Sequence, residues 1–338
     1  MATMKEIAEL CNISRGTVDR VLNHRGSVRP ETAARVEAAA KMLDYRPNKA
    51  GLILAAQKKN LKIGVVLFQD TNPFFGEVLE GIHAKAAELS GFNCLVPIRQ
   101  VPFDEGCQLE AIRSLVQEGI HGLILSPYNS PSIAQEINLL CDRGIPVITT
   151  NTDIPSKRIA YTGSNYYLSG QTAAGLLGRM TFGEVTVGII TGSSHILCHT
   201  ERIAGFTETI RKSYPHIHIL ETIENHDNDK ESFEKVQSLL KRRPEINALY
   251  FAAAGVYGGC QAVHSLGLDE KIKIFTYDNV KTTSELVRKG TITATICQKP
   301  FLQGYQPLEL LSKHLLEGMP LEKEFYYMDI DIRIKENL

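Results

Sequence analysis

Residues 3–23, TMKEIAELCNISRGTVDRVLN, constrain the fold more tightly than any other stretch of this chain. Thr3 and Glu6 form a T-x-x-E capping box, which predicts a helix start with two orphan amides satisfied. Ile7, Ala8 and Leu10 give that helix an apolar side. Cys11-Asn12-Ile13 interrupts it, and Ser14 is a good cap for a second short helix. There Val18, Val21 and Leu22 recur at helical spacing and face back onto the first helix. Arg15, Gly16, Asp19 and Arg20 are left on the opposite side. Two short helices joined by a tight turn, the second with an outward arginine-bearing face, predict a helix-turn-helix unit that enters a DNA major groove. An ordinary helical hairpin inside a larger bundle is the alternative reading of the same spacing.

The formal net charge of the 338 residues is −1, but the average conceals an asymmetry. Residues 1–60 hold 11 Lys/Arg against 6 Asp/Glu, whereas the remainder holds 26 against 32. A small basic head on an acidic body fits a nucleic-acid module joined to something that does not bind nucleic acid. The first residues, MATMKEIAEL, lack a basic-then-apolar leader, and no apolar run approaches the ~18–20 residues that span a bilayer. A cytoplasmic protein with no membrane partner is expected. The 7 cysteines are scattered, with no C-x-x-C, and read as small buried apolar residues rather than a disulfide framework.

A third helix is expected from Pro30 to about Leu43, with Ala33, Val36, Ala40 and Leu43 on one face. Residues 45–60 read as a linker containing one conditional helix, Lys49–Gln57. From Lys62 onward, apolar β-rich runs alternate with helical patterns: KIGVVLF, NCLVPI, GLILS, PVITT, AYTG, VTVGIIT, IHIL, NALYFA, KIKIFTYD and TATIC. About ten near-continuous apolar strands separated by helices signal parallel sheets covered on both faces. They are too many for one compact sheet. The expected fold is therefore an all-α helix-turn-helix domain followed by an α/β body of two doubly wound parallel-sheet lobes. The predicted division is 1–47 for the head, 48–60 for hinge and linker, and 61–338 for the body. Lobe 1 takes about 61–164 and 299–327, lobe 2 about 165–298 and 328–338, with helix 301–317 returning to the first lobe. Facing lobes leave a cleft at the carboxyl ends of their strands, where small ligands bind.

Head and body together resemble the lactose-repressor (LacI/GalR) family of bacterial transcription regulators over essentially the whole chain. On the DNA side the likeness rests on the 3–23 block, Val28-Arg29-Pro30-Glu31-Thr32 and Tyr45-Arg46-Pro47-Asn48. On the body side it rests on Asn72-Pro73-Phe74-Phe75, Pro146-Val147-Ile148-Thr149, Arg202-Ile203-Ala204-Gly205-Phe206, Tyr277-Asp278 and Gln298-Lys299-Pro300. The body is particularly similar to ribose-binding protein and its periplasmic relatives, a periplasmic-binding-protein-like type I architecture.

At the DNA end, Arg15 and Arg20 are the candidates for base reading, since a guanidinium fits the O6/N7 edge of guanine and discriminates by ~1–3 kcal/mol. Phosphate clamping is the alternative for each. Gly16 stands where relatives often carry a larger contacting residue, and Asp19 departs from the family's usual serine. Thr3, Ser14, Thr17, Asn23 and Ser27 look like phosphate contacts, which fix register without reading sequence. In the hinge, Asn48 can cap a short helix with Gly51 and Leu54 on one side. In the family this helix pairs with its dimer mate in the minor groove, and a leucine at the position of Leu54 wedges a base step open. A plain interdomain linker with an incidental leucine is the other reading.

In the cleft, Phe74 and Phe75 could stack on the C–H face of a sugar ring, or one could be core. The resemblance implies that Asn72, Asn151, Ser164, Arg202, Asp278 and Gln298 surround the effector, with Asp227 and Tyr277 assigned to the same site. The departures are Asn151 for an aspartate, Asp227 near an aromatic position, and Ala253 where an Asn or Asp usually binds hydroxyls. They leave a sugar, a polyol such as inositol, or a modified sugar. His195 and His199, with Cys198 between them, have a spacing that could hold a transition metal. No third ligand of fixed spacing appears, so no metal and no cofactor are expected, and polar lining or a ligand contact remain.

The resemblance implies an effector-controlled, homodimeric DNA-binding repressor on a near-palindromic operator. A cytosolic solute-binding protein without a transcription role is the alternative. An enzyme is not expected, because G-x-S-x-G, H-E-x-x-H, G-x-x-x-x-G-K-[ST] and G-x-G-x-x-G are all missing.

Overall fold

The computed structural model describes residues 3–22, 28–43, 45, 60–68, 73–193 and 196–338. Its head is three helices, α1 (Met4–Leu10), α2 (Arg15–Leu22) and α3 (Pro30–Met42). The capping box at Thr3 forms, with Thr3 N–H donating to Glu6 Oε2 at 2.6 Å and Glu6 N–H donating to Thr3 Oγ1 at 3.3 Å. The turn between the first two helices is possible because Asn12 adopts φ 49°, a left-handed conformation that asparagine tolerates better than most residues. Ile7, Ala8, Cys11, Val18, Val21, Val36 and Ala39 form the buried centre. Leu10, expected on the apolar side of α1, is instead 53% exposed. Cys11 takes the inward place because the helix ends there and its sulfhydryl turns back toward the carbonyl of Arg35.

The body holds two six-stranded sheets, ordered β11-β5-β4-β3-β1-β2 and β12-β10-β9-β8-β6-β7. The first comprises β1 (Ile63–Phe68), β2 (Ile98–Val101), β3 (Gly122–Leu125), β4 (Val147–Thr150), β5 (Ala160–Gly163) and β11 (Phe325–Tyr327). The second comprises β6 (Val185–Thr191), β7 (Ile217–Glu224), β8 (Ala248–Phe251), β9 (Lys273–Tyr277), β10 (Ala294–Cys297) and β12 (Asp331–Arg333). Central strands such as β1, β3 and β8 are buried at every residue, as helices on both faces require. Among the described residues only β10 and β12 pair antiparallel.

Two details differ from the sequence reading. The second strand is not NCLVPI but Ile98–Val101, because Pro97 lacks an N–H to donate and the ladder builds up beyond it. The structure adds two short edge strands, β11 and β12, each three residues long and neither fully buried.

Helices α4 (Pro73–Ser90), α5 (Glu105–Gln117), α6 (Pro131–Asp142) and α12 (Pro300–Glu317) cover the first sheet. The second is covered by α7 (Tyr166–Met180), α8 (Leu197–Ser213), α9 (Asp229–Arg242), α10 (Val256–Ser265) and α11 (Lys281–Lys289). The chain passes between the lobes at 163–166, at 297–300 and at 327–331. In both lobes helix pairs come into backbone contact through glycine. A Cβ on Gly304 of α12 would meet the Val78 carbonyl oxygen at 1.9 Å, and one on Gly205 of α8 would meet that of Tyr167 at 2.1 Å. These contacts fix α8, and with it the start of the cleft's polar wall.

Candidate effector cleft and DNA-reading face

In the head, Arg15, Gly16 and Arg20 are exposed on one side of α2, opposite buried Val18 and Val21. Arg20 Nε donates to the Gly16 carbonyl at 3.3 Å. Ser14 caps α2 by accepting from Thr17 N–H at 3.1 Å, and the two hydroxyls lie 2.9 Å apart. Exposed Thr3, Ser14 and half-buried Thr17 thus cluster at helix N-termini, where partial positive charge favours anions. Asn23, Ser27, Asn48, Gly51, Leu54, Asn72 and His195 lie outside the described residues.

In the body, the strand order reverses at β1 in one sheet and at β6 in the other, the positions where open α/β sheets hold ligands. A cavity of about 390 Å³ opens there between the lobes. Residues with positive φ concentrate around it: Asn151, His226, Asp227 and Asp278. Each follows the carboxyl end of a strand, where a left-handed residue turns the chain sharply and presents its side chain to the cleft.

Arg202 dominates the wall from lobe 2. It is 4% exposed on α8, donates through Nη1 to the Ala252 carbonyl at 2.8 Å and through Nη2 to Gln298 Oε1 at 2.7 Å. Its guanidinium lies 3.8 Å from the centre of the Tyr277 ring and 5.0 Å from that of Tyr166. Gln298 passes the network on, its Nε2 donating to Asp278 Oδ1 at 2.5 Å. Burial pushes the Asp278 carboxyl above its ordinary 3.8, opposed by Arg202 and Gln298. Asp227 accepts from Ala254 N–H at 2.8 Å. Behind it His199 accepts from Ser193 N–H at Nδ1, 3.2 Å, which leaves Nε2 directed at Asp227 Oδ1 3.9 Å away. Burial holds His199 below 6.5 and therefore neutral near pH 7, although Asp227 pulls the other way.

The wall from lobe 1 is aromatic. Phe74 and Phe75 meet edge to face at 5.4 Å. Phe74 is 3% exposed and belongs mainly to the lobe core, whereas Phe75 is half-buried at the rim. Phe68 and Phe103 add a second edge-to-face pair at 4.7 Å, with Phe103 continuing to Tyr128. Gln108, wholly buried, holds the adjoining loop by donating to the Ser126 carbonyl at 2.9 Å and accepting from Tyr128 N–H at 2.7 Å.

Of the residues singled out from sequence, Phe74, Phe75, Asn151, Arg202, Asp227, Asp278 and Gln298 are brought together on this cavity. Ser164 and Tyr277 are not. Ser164 lies on a neighbouring cavity. Tyr277 is buried below Arg202, its hydroxyl shared with Tyr250 at 3.0 Å and Ser169 at 3.2 Å. It supports the arginine rather than lining the cleft. Phe68, Phe103, Tyr166 and Asn129 line the cleft without having been singled out. Phe68 had a legible signal, an aromatic at the carboxyl end of the first strand; Phe103 lies two residues beyond a weak edge strand and had none. Among the described residues no group of three or more His, Cys, Asp or Glu could hold a metal ion. Cys198 is buried and its thiol is pushed up to about 12, so it is no nucleophile at neutral pH.

A helix-turn-helix head ahead of a two-lobed α/β body with a ligand-sized cleft defines the class: a ligand-responsive DNA-binding regulator. The family model described as periplasmic binding protein domain matches residues 63–318, and that described as bacterial regulatory proteins, lacI family, matches residues 3–48. The chain belongs to the periplasmic-binding-protein domain family and, through its head, to the LacI family of transcription regulators. It is 25% identical over 93% of its length to the ribose operon repressor of Haemophilus influenzae, covering 92% of that protein. It is 23% identical over 93% of its length to catabolite control protein A of Staphylococcus epidermidis, again covering 92%. Among solved structures, a glucose-galactose binding protein from Geobacillus stearothermophilus superposes with a TM-score of 0.75 at 27% identity, over 82% of this chain and 98% of the other. The chain is an effector-controlled transcription regulator and not an enzyme. No described helix is long and apolar enough to cross a membrane.

Proposed function

We propose that this protein is a cytoplasmic, homodimeric repressor whose cleft senses a neutral sugar or polyol. The observation that carries the reading is the division of labour across the cleft. Aromatic rings face a mutually hydrogen-bonded Arg202–Gln298–Asp278 set, the combination that binds C–H faces and hydroxyls together. The charge balance supports an uncharged ligand. Among the described residues the cleft lining holds no lysine, and its arginine already has two nitrogens engaged. Arg202 Nε is buried and has no partner among the described residues, so the guanidinium is held by its two terminal nitrogens.

The head takes 1–47, the hinge 48–60 and the sensor 61–338. Arg15 and Arg20 read base edges, while Thr3, Ser14, Thr17, Asn23 and Ser27 hold phosphates. Leu54, next to Gly51 on the helix that Asn48 caps, wedges the central step of a near-palindromic operator. Effector binding changes lobe closure and so shifts the hinge; a thousandfold change in operator affinity needs ~4 kcal/mol of coupling.

The test has two arms. Selection from a random duplex pool is expected to enrich a near-palindrome, and Leu54→Ala to weaken its binding strongly. A thermal-shift screen is expected to find a neutral sugar or polyol that stabilises the chain and alters operator affinity. Stabilisation by sugar phosphates alone would overturn the ligand assignment. Equal operator affinity of Leu54→Ala would overturn the wedge.

A further inference from the structure

A second cavity, of about 530 Å³, lies between the lobes beside two of the chain crossings. Lobe 1 contributes Asp153, Arg158, Glu324 and the β11 rings Phe325 and Tyr327; lobe 2 contributes Tyr166, Tyr167 and Glu201. The cavity is not part of the effector cleft, yet the two share a wall. Thr152, Tyr166, Leu197 and Cys198 line both.

Its chemistry differs from that of the cleft. Phe325 and Tyr327 stack at 5.5 Å, and Tyr161 stands edge-on to both, at 6.4 and 6.1 Å. Three carboxylates face a single cation. Arg158 is 9% exposed and all three of its nitrogens are engaged: Nε and Nη2 hold Asp153 at 2.7 and 2.6 Å, and Nη1 holds Glu324 at 3.0 Å. The guanidinium also lies 4.9 Å from the centre of the Phe325 ring, so this ring cluster already accommodates one cation. Glu201 is left over. It is half-buried and has no hydrogen-bond or ion-pair partner among the described residues. Burial, and after it the Asp153 charge, push its carboxyl upward. A second polar group is also open: Ser164 is 3% exposed, and only its carbonyl is engaged, accepting from the Tyr161 hydroxyl at 3.0 Å. Its own hydroxyl has no partner among the described residues.

We infer that this cavity is a second ligand site, which takes a small organic cation with an apolar body, its charged group set against Glu201 among the aromatic rings. Aromatic faces and an unbalanced carboxylate select positive charge, and a largely apolar lining selects against a bare inorganic ion. Because both lobes supply the lining, the cation bridges them. Because Tyr166 and Cys198 form the partition, its occupancy and that of the effector cleft are linked, and any effect of one on the other is reciprocal.

Calorimetric titration of the full chain with benzyltrimethylammonium tests the inference, with benzyl alcohol as the neutral comparison. Saturable one-to-one binding is expected for the cation, at least tenfold weaker for the alcohol. Glu201→Gln, which keeps size and shape, and Tyr327→Leu, at a half-exposed position, are each expected to weaken the cation at least tenfold while the melting midpoint shows the chain folded. Asn129→Ala and Phe75→Ala, in the cleft and outside its hydrogen-bonded chain, are expected to leave cation affinity within twofold. No saturable binding, equal affinity for the alcohol, or loss through the cleft variants but not through Glu201→Gln would each overturn it. None of these readouts depends on which neutral ligand occupies the cleft, so failure here is distinguishable from failure of the sugar or polyol reading.

Discussion

The two walls of the effector cleft differ in their main material: lobe 1 presents phenylalanine rings beside Asn129 and Asn151, lobe 2 a hydrogen-bonded chain of Arg202, Gln298 and Asp278. Rings act independently, so the loss of one removes area and leaves the others in place. The polar chain is cooperative, because every member satisfies another in a buried setting. Loss of one member leaves buried polar groups without partners, and the damage spreads. Lobe 2 therefore defines whether the cleft exists, and lobe 1 adjusts what fits it.

The sharpest way to break this contrast is Arg202→Met. It removes the donor to both Ala252 and Gln298 and the charge facing Asp278. We expect a loss of about 3 kcal/mol in urea unfolding, together with loss of effector response. An unchanged midpoint would show that the polar chain is not cooperative.

Next comes Gly205→Ala, whose methyl group would collide with the Tyr167 carbonyl and push α8 outward. It should cost about 2 kcal/mol, comparable with Gly304→Ala in lobe 1. Only the lobe 2 variant should also weaken effector binding, because α8 carries Arg202. Equal effects of the two on effector affinity would erase the distinction between the lobes.

Phe75→Ala sharpens the other side. It should weaken the effector by about 1 kcal/mol, roughly fivefold, with little change in stability.

The smallest effect is His199→Gln. Burial depresses the His199 pKa, so the folded state binds fewer protons than the unfolded state between its folded value and 6.5. The associated stability is complete above 6.5 and is lost as pH falls through the folded value. The wild-type midpoint should therefore drop more steeply than the variant's between pH 7 and 5, and parallel profiles would remove His199 as the cause.

Much of this architecture was legible because its causes are local. The capping box at Thr3, the break at Asn12 and the period of Val18 and Val21 each act within a few residues, and each appears in the helices. The central strands were legible because burial on both faces leaves an unbroken apolar run. Edge strands β2 and β12 mix charged with apolar residues and gave no such run, and β11, Phe325–Tyr327, is only three residues long. In the cleft, the motifs gave Arg202, Asp278 and Gln298, but Tyr277 was assigned to the same surface as its neighbour. Successive strand residues point to opposite sides. Tyr277 ends β9 facing the lobe core, and the left-handed turn at Asp278 delivers only the carboxylate to the cleft.

The helix-turn-helix unit, the alternation of strands and helices and the chemical types that gather at strand ends are encoded locally, since each depends on neighbours close along the chain. Which of those groups share a surface depends on long-range packing. Phe103 joined the effector cleft, Ser164 went to the second cavity, and Glu201 and Arg202, adjacent in sequence, face different cavities. The reason is that burial and pairing are set by elements far apart in the chain, and one residue's rotation about α8 is enough to change which cavity a side chain meets.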